Sequence, residues 1–277
     1  MQTAQEFLND KQKSSFLIAG DFGEGKTTVG LPFPKFFYIG FRQGGLEVIR
    51  KPENVKYQKN LIAYEELCPK NDQELKECFD PAGRKGRIYK AIDRAKEMAQ
   101  KGEVETLFVD DVSDWSTTNW QYICQFERII TASGADDIQR MYGKLYDMQW
   151  RVLTQDLMTF RRFGNVVLTT HLMRETAAVL EGTQKVRASA VDRNSDLFPD
   201  ILGSLRREIQ RKFENVIYME AKLQGDGKSK KYIGYTEKQV AMGTVVKAKN
   251  VLGLSPIIEN ISYETLFTNK PTAPKAV

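Results

Sequence analysis

Apolar residues along this chain fall into two patterns. Some form short continuous runs: Phe16-Leu17-Ile18-Ala19, Lys35-Phe-Phe-Tyr-Ile-Gly40, Leu107-Phe108-Val109 and Asn165-Val-Val-Leu-Thr-Thr-His171. Runs of this length bounded by polar residues or glycine predict strands buried on both faces. Val55 to Tyr64 predicts a further strand. Between the runs, apolar positions recur at helical spacing. Residues 71–101 predict helix broken at Asp80-Pro81-Ala82-Gly83, residues 114–131 predict a helix or a loop followed by helix, and Ala135 to Phe163 predicts one long helix stopped by Gly164. Residues 1–13 predict a short helical lead-in and Arg206 to Phe213 a short basic helix. Asn215 to Leu223 and Tyr232 to Thr236 predict strands, and Asp226-Gly227 between them predicts a hairpin. Residues 172–204 show no period and mixed charge, which predicts a long loop. The residues after Phe267 predict a disordered tail, 268–277.

Strands alternating with helices predict an α/β fold with a central, mostly parallel sheet flanked by helices. Antiparallel strands are added near the C-terminus, and one domain covers residues 1–267. Composition agrees: 277 residues, 41% apolar and 28% charged, are enough to bury a sizeable core. No apolar run approaches the ~18 residues of a membrane span, and the first residues lack a signal peptide's basic-then-apolar order. Cys68, Cys78 and Cys124 are scattered and odd in number, and His171 is the single histidine. That argues against a disulfide framework and a zinc site and suits a reducing cytoplasm. The net charge of +5 permits a polyanionic partner without requiring one.

The first run leads into Gly20-Asp21-Phe22-Gly23-Glu24-Gly25-Lys26-Thr27-Thr28, which contains G-x-x-x-x-G-K-T. This is the spacing of a phosphate loop. Glycines at 20, 23 and 25 let the backbone curl so that successive N–H groups face one anion. Lys26 adds a point charge at the β- and γ-phosphates, Thr27 offers a hydroxyl to Mg²⁺, and the following helix presents its positive end. The pattern predicts binding of a nucleoside triphosphate with Mg²⁺. Asp110, at the end of the run Leu107–Val109, is the expected partner of that metal. Asp111 either activates the attacking water or serves as a turn residue. His171, where another buried strand ends, either senses the γ-phosphate or caps the strand.

Together these pieces resemble the RecA-like P-loop ATPases of bacteriophages, in particular the compact phage nucleotide-binding proteins that act in single-strand annealing and recombination. Gly20–Thr28, Leu107–Asp111, Asn165–His171, Phe198-Pro-Asp-Ile-Leu-Gly-Ser-Leu-Arg-Arg-Glu208, Phe213–Tyr218 and Val246-Lys-Ala-Lys-Asn250 carry the likeness, which covers about residues 14–250. The resemblance implies a RecA-like core in which Lys26, Thr27 and Asp110 hold MgATP and His171 is the sensor. It implies single-stranded DNA contacts from Arg174, Lys185, Arg187 and Arg193. Lys247 and Lys249 would reach a neighbouring subunit's ATP in a ring or filament. The resemblance also implies a single-strand-binding protein as a candidate further partner and, for a phage protein, the cytoplasm of a bacterial host, with no membrane.

One departure stands out. The family carries a catalytic glutamate just after the second strand, where this chain reads Gly40-Phe41-Arg42-Gln43-Gly44-Gly45. Asp111, Glu47 or Glu65 could substitute, or hydrolysis is slow and ATP-dependent binding dominates. Basic residues cluster from Arg161 to Lys231, but acidic residues are interspersed, as on any solvated surface. Trp115, Trp120 and Tyr122 either stack on bases or pack against the sheet. A DNA motor of helicase or packaging type, and a nucleotide switch that binds a protein partner with little turnover, are the alternatives.

Overall fold

A computed structural model describes residues 13–79, 85–175, 178–181, 184–187, 196–203, 205–225, 230–242 and 244–268. The strands in chain order are β1 (Ser15–Gly20), β2 (Phe36–Gly40), β3 (Leu61–Glu66), β4 (Thr106–Asp110), β5 (Asn165–Thr170), β6 (Leu172–Glu175), β7 (Ala178–Glu181), β8 (Gln184–Arg187) and β9 (Asp196–Pro199). They continue as β10 (Asn215–Leu223), β11 (Lys230–Tyr235), β12 (Gln239–Ala241), β13 (Thr244–Val246), β14 (Lys249–Asn250) and β15 (Ile257–Glu259). The central sheet runs β15-β11-β10-β1-β5-β4-β2-β3, with β14 also on β10. Every pair from β10 to β3 is parallel. The pairs β10–β11, β10–β14 and β11–β15 are antiparallel. The fold is therefore the expected α/β class, mostly parallel with antiparallel strands toward the C-terminus.

The strands form where they do because both sheet faces are covered. In β1, β2, β4 and β5 every residue is buried. Alternate residues go to opposite faces. Leu17, Phe37, Leu107 and Val166 join one core, against the helices Asp72–Cys78, Arg87–Gln100, Val112–Phe126 and Ile138–Trp150. Phe16, Ile18, Phe36, Tyr38, Phe108 and Val167 join the other, against the helix Lys26–Gly30 and the C-terminal helix Tyr263–Thr268. Because β5 lies between β1 and β4, the register sets the carboxyl ends of all three side by side: Ala19 beside Thr170, Val109 beside Leu168.

Several expectations change. Residues 52–60 wind as a 3₁₀ helix with Pro52 in its first turn, and the strand begins only at Leu61. Residues 55–60 carry no strand alternation, and proline suits a helix start. The long helix starts at Ile138 after the cap Asp137, whose side chain accepts from Arg140 N. It widens to a π turn at Arg151–Asp156 and ends at Phe160. There Thr154 Oγ1 donates to Trp150 O at 2.6 Å, competing with the helical ladder. Residues 172–204 are not a featureless loop. β6 pairs with β9 and β7 with β8 in antiparallel ribbons. Four-residue strands are too short to show a period, and β6 finds its partner far along the chain. The ribbon β12–β13, with strands of three residues, likewise carries no readable period. The expected hairpin is present as β10–β11, paired out to Leu223 and Lys230, while its Asp226-Gly227 turn lies outside the described residues. So do the lead-in 1–12 and residues 269–277, and Thr268 closes a helix. Among the described residues no helix is long and apolar enough to cross a membrane.

A Cβ on Gly30 would stand 2.2 Å from Phe108 Cζ, and that ring is held edge-on by both Phe36 and Tyr38. Gly30→Ala is expected to cost about 1–3 kcal/mol through overpacking, read as a lower urea midpoint at unchanged slope. An unchanged midpoint would mean that this helix does not press on β4 as described.

Candidate nucleotide-binding site

The loop between β1 and the helix Lys26–Gly30 takes its shape from two glycines. Gly23 and Gly25 have φ of 80° and 78°, the left-handed region open to glycine. Gly25 is required twice over, since a Cβ there would stand 2.7 Å from the ring of Tyr232 on β11. Alternation of this kind turns backbone N–H groups inward to form an anion nest. Lys26 is buried, and its Nζ donates to Gly20 O at 2.9 Å and Asp21 O at 3.0 Å. Its third contact is His171 Nδ1 at 3.1 Å. Burial lowers the Lys26 pKa, against the pull of Asp111 and Asp110. Glu24 folds back so that its carboxylate accepts from Asp21 N, and burial raises its pKa.

Asp110 ends β4 with its carboxylate buried. Its Oδ2 accepts from Thr27 Oγ1 at 2.9 Å and from Tyr38 OH at 3.1 Å, and its Oδ1 accepts from Thr169 Oγ1. Burial and the Asp110 charge push the Tyr38 pKa up. Adjacent oxygens around an octahedral Mg²⁺ at 2.0–2.1 Å stand roughly 2.9 Å apart, so the Thr27–Asp110 pair fits that ion. Among the described residues no three His, Cys, Asp or Glu side chains gather to hold a metal. Mg²⁺ commonly completes its shell with water and substrate phosphate, so a pair suffices.

Asp111 serves the local fold first. Its Oδ1 caps the helix Val112–Phe126 by accepting from Ser113 N at 2.6 Å. Its Oδ2 lies 3.2 Å from His171 Nε2. Burial and then Asp110 push the Asp111 carboxyl up to about 7. Burial and then Lys26 lower the His171 pKa. A lysine ammonium can only donate, so Nδ1 accepts from Lys26 and the ring proton sits on Nε2, facing Asp111. With both pKa values moved against the charged forms, the His171–Asp111 contact is a hydrogen bond from a neutral ring rather than an ion pair. Ser113 Oγ fixes the histidine backbone by accepting from His171 N at 2.9 Å and also contacts Thr170 Oγ1.

These groups line an open cleft of about 340 Å³. Arg42 and Gln43, just after β2, line its far wall, and so does Lys51. No carboxylate stands at 42 or 43. Glu47 is held by Arg50 and Glu65 by Arg87, and neither lines the cleft. Asp111 is the carboxylate that joins Asp110 there. Tyr38, Ser113 and Tyr232 belong to the site without any sequence signal, since only sheet order and register bring them in. Thr169 could be read from its place at a strand end. Lys247 and Lys249 lie outside this cleft. Lys247 Nζ sits 4.9 Å over the Phe198 ring, and Lys249 on β14 pairs with Val216 near the start of β10. Arg174 lies on β6, Lys185 and Arg187 lie on β8, and Arg193 is outside the described residues. Trp115 and Tyr122 are core residues, and Trp120 stacks on Tyr142 with centroids 4.5 Å apart.

A glycine-shaped nest with a buried lysine, beside a hydroxyl–carboxylate pair at the carboxyl edge of a parallel sheet, defines a P-loop nucleotide-binding ATPase domain. The chain belongs to the family described as AAA domain, whose model matches residues 12–249. It is similar in structure to the flagellar accessory protein FlaH from Methanocaldococcus jannaschii, at 12% identity and a TM-score of 0.42 over 89% of this chain and 84% of that one. No curated protein matches the chain.

Lys26→Ala is expected to weaken ATP binding at least about a hundredfold, since several charge-assisted contacts are lost together. Burial of the Lys26 ammonium is itself unfavourable and offsets its hydrogen bonds, so the melting temperature should change little. Titration calorimetry with ATP checks this, and unchanged affinity would remove the loop from the account.

Proposed function

We propose that the chain is a Mg²⁺-dependent, RecA-like ATPase acting on single-stranded DNA in bacteriophage recombination or annealing, within the bacterial host cytoplasm. The observation that carries this reading is the position of His171. Its ring meets Lys26 Nζ in the phosphate loop, its carbonyl accepts from Asp200 N at 2.8 Å just after β9, and the next residue opens β6. Both strands of the β6–β9 ribbon are therefore anchored at the backbone of one residue whose side chain lines the nucleotide cleft. A terminal phosphate would draw Lys26 away from Gly20 O, Asp21 O and His171 Nδ1. The histidine would then lose a contact that it has in the empty site, and the ribbon would feel the change. Arg174, Lys185 and Arg187 lie on the ribbon strands, and together with Arg193 they would meet the DNA phosphates.

In the hydrolytic step Lys26 and the loop N–H groups hold the phosphates, and Thr27 and Asp110 hold Mg²⁺, which supplies charge neutralisation when bound. Asp111 is the group placed to accept a proton from water. Its Oδ1 is committed to the helix cap, so the role falls to Oδ2, which also faces His171 Nε2 and has a second lone pair for water. Lys247 and Lys249 would act on a neighbouring copy in a ring or filament, with a single-strand-binding protein as a further partner. A second reading, a nucleotide switch with little turnover, draws support from Arg42 and Gln43 standing where the family's glutamate is expected.

ATP turnover with and without single-stranded DNA, paired with particle size, separates the two. The first reading expects DNA to accelerate hydrolysis, oligomers to form with ATP, and DNA affinity to fall steeply with salt. His171→Ala should keep ATP affinity within about twofold while losing the effect of ATP on DNA binding. No DNA affinity at low salt, with or without ATP, would contradict the DNA reading, and a His171→Ala chain that couples normally would contradict the sensor.

A further inference from the structure

Two cations outside the loop motif stand at the loop's apex from opposite sides. Arg42, exposed just past β2, lines the nucleotide cleft, and its guanidinium carbon lies 4.9 Å from the ring centroid of Phe22. Phe22 is itself a loop residue, 73% exposed. From the other side comes Lys230, the first residue of β11. Its Nζ lies 3.9 Å from the point where a Cβ on Gly23 would stand. The β10–β11 ladder explains this placement, with Leu223 opposite Lys230 and Ala221 opposite Tyr232. Alternate residues share a face, so Lys230 and Tyr232 both turn to the loop, Tyr232 against Gly25. Lys231 turns the other way and pairs with Glu259 at 2.7 Å. Among the described residues no carboxylate forms an ion pair with Arg42 or Lys230. The carboxylates of the site, Asp110, Asp111, Asp21 and Glu24, gather around Lys26, so Arg42 and Lys230 are the cations at the apex left free to meet an anion.

We propose that Lys230 and Arg42 are a pair of cis-acting clamps on the terminal phosphate of the bound nucleoside triphosphate, an inference that rests on the nucleotide reading of the cleft. Lys230 closes over Gly23 from the β11 side. Arg42 exchanges its contact with the Phe22 ring for phosphate oxygens, which its planar fork can grip in pairs. A triphosphate carries more negative charge than a diphosphate and extends further toward the apex, so the clamp selects the triphosphate. The inference also accounts for the departure after β2. A carboxylate there would orient water, whereas an arginine there binds the phosphoryl group, so the site trades turnover for triphosphate-dependent grip.

Titration calorimetry of ATP and of ADP, each with Mg²⁺, against the full chain tests the clamp. Lys230→Ala and Arg42→Ala should each weaken ATP binding about tenfold, the scale of one charge-assisted contact. ADP affinity should move less than about twofold. Lys230→Arg should keep ATP affinity, and Lys231→Ala, whose side chain faces Glu259, should leave both nucleotides unaffected. Both clamp residues are exposed, so the melting temperatures of the variants should match the parent. Equal losses for ATP and ADP, or no loss for either, would overturn the clamp. Failure of the parent chain to bind any nucleotide would overturn the reading of the cleft, and the clamp with it.

Discussion

A carboxylate buried at the edge of a parallel sheet needs partners, and Asp110 draws them from three elements at once. Taking an ionised group out of water costs several kcal/mol unless hydrogen bonds replace its hydration. Here Thr27 from the phosphate-loop helix, Tyr38 from β2 and Thr169 from β5 all donate to it. The Asp110 charge thus ties the loop, β2 and β5 to one point. The rest of the site follows from that point. Asp111 is placed next to it to cap a helix, His171 follows two residues after Thr169, and Lys26 reaches across to the histidine.

The arrangement is poised rather than closed. Lys26 spends its hydrogen bonds on loop carbonyls and on the histidine, and Asp111 and His171 share a proton-bearing contact with charge suppressed on both. Each of these contacts is one that a polyanion would compete for. A site built from such exchangeable contacts can report the presence of ligand through whichever element loses its partner. Here that element is the strand end that launches the β6–β9 ribbon. The same logic governs Arg42, which rests on an exposed aromatic ring in the loop.

How much could be read from the chain depended on how local each feature is. The phosphate loop is contiguous, and its glycines, lysine and threonine mark their places in the cleft by spacing alone. Asp110 and His171 were legible because each follows a buried run, and strand ends in such sheets face the ligand. Tyr38 was not, because it sits inside an apolar run, and only the β2–β4 pairing sets it beside Asp110. Lys230 was hidden in a scatter of surface lysines until the register of β10 and β11 separated it from Lys231. The ribbons within 172–204 were invisible to periodicity because their strands are four residues long, and residues 55–60 differ from the expected strand because strand and 3₁₀ segments of mixed polarity look alike. The dual service of Asp111, which caps a helix with one oxygen and faces the cleft with the other, needed both atoms in view.

The central claim is that Asp110 organises the nucleotide site and answers for its metal. The direct measurement is ATP affinity of the parent chain and of Asp110→Asn, each with Mg²⁺ and with chelator. Asparagine keeps the shape and one acceptor oxygen but removes the charge that attracts the ion. The account predicts that Mg²⁺ tightens ATP binding about tenfold or more in the parent and has little effect in Asp110→Asn. The same Mg²⁺ dependence in both would contradict it.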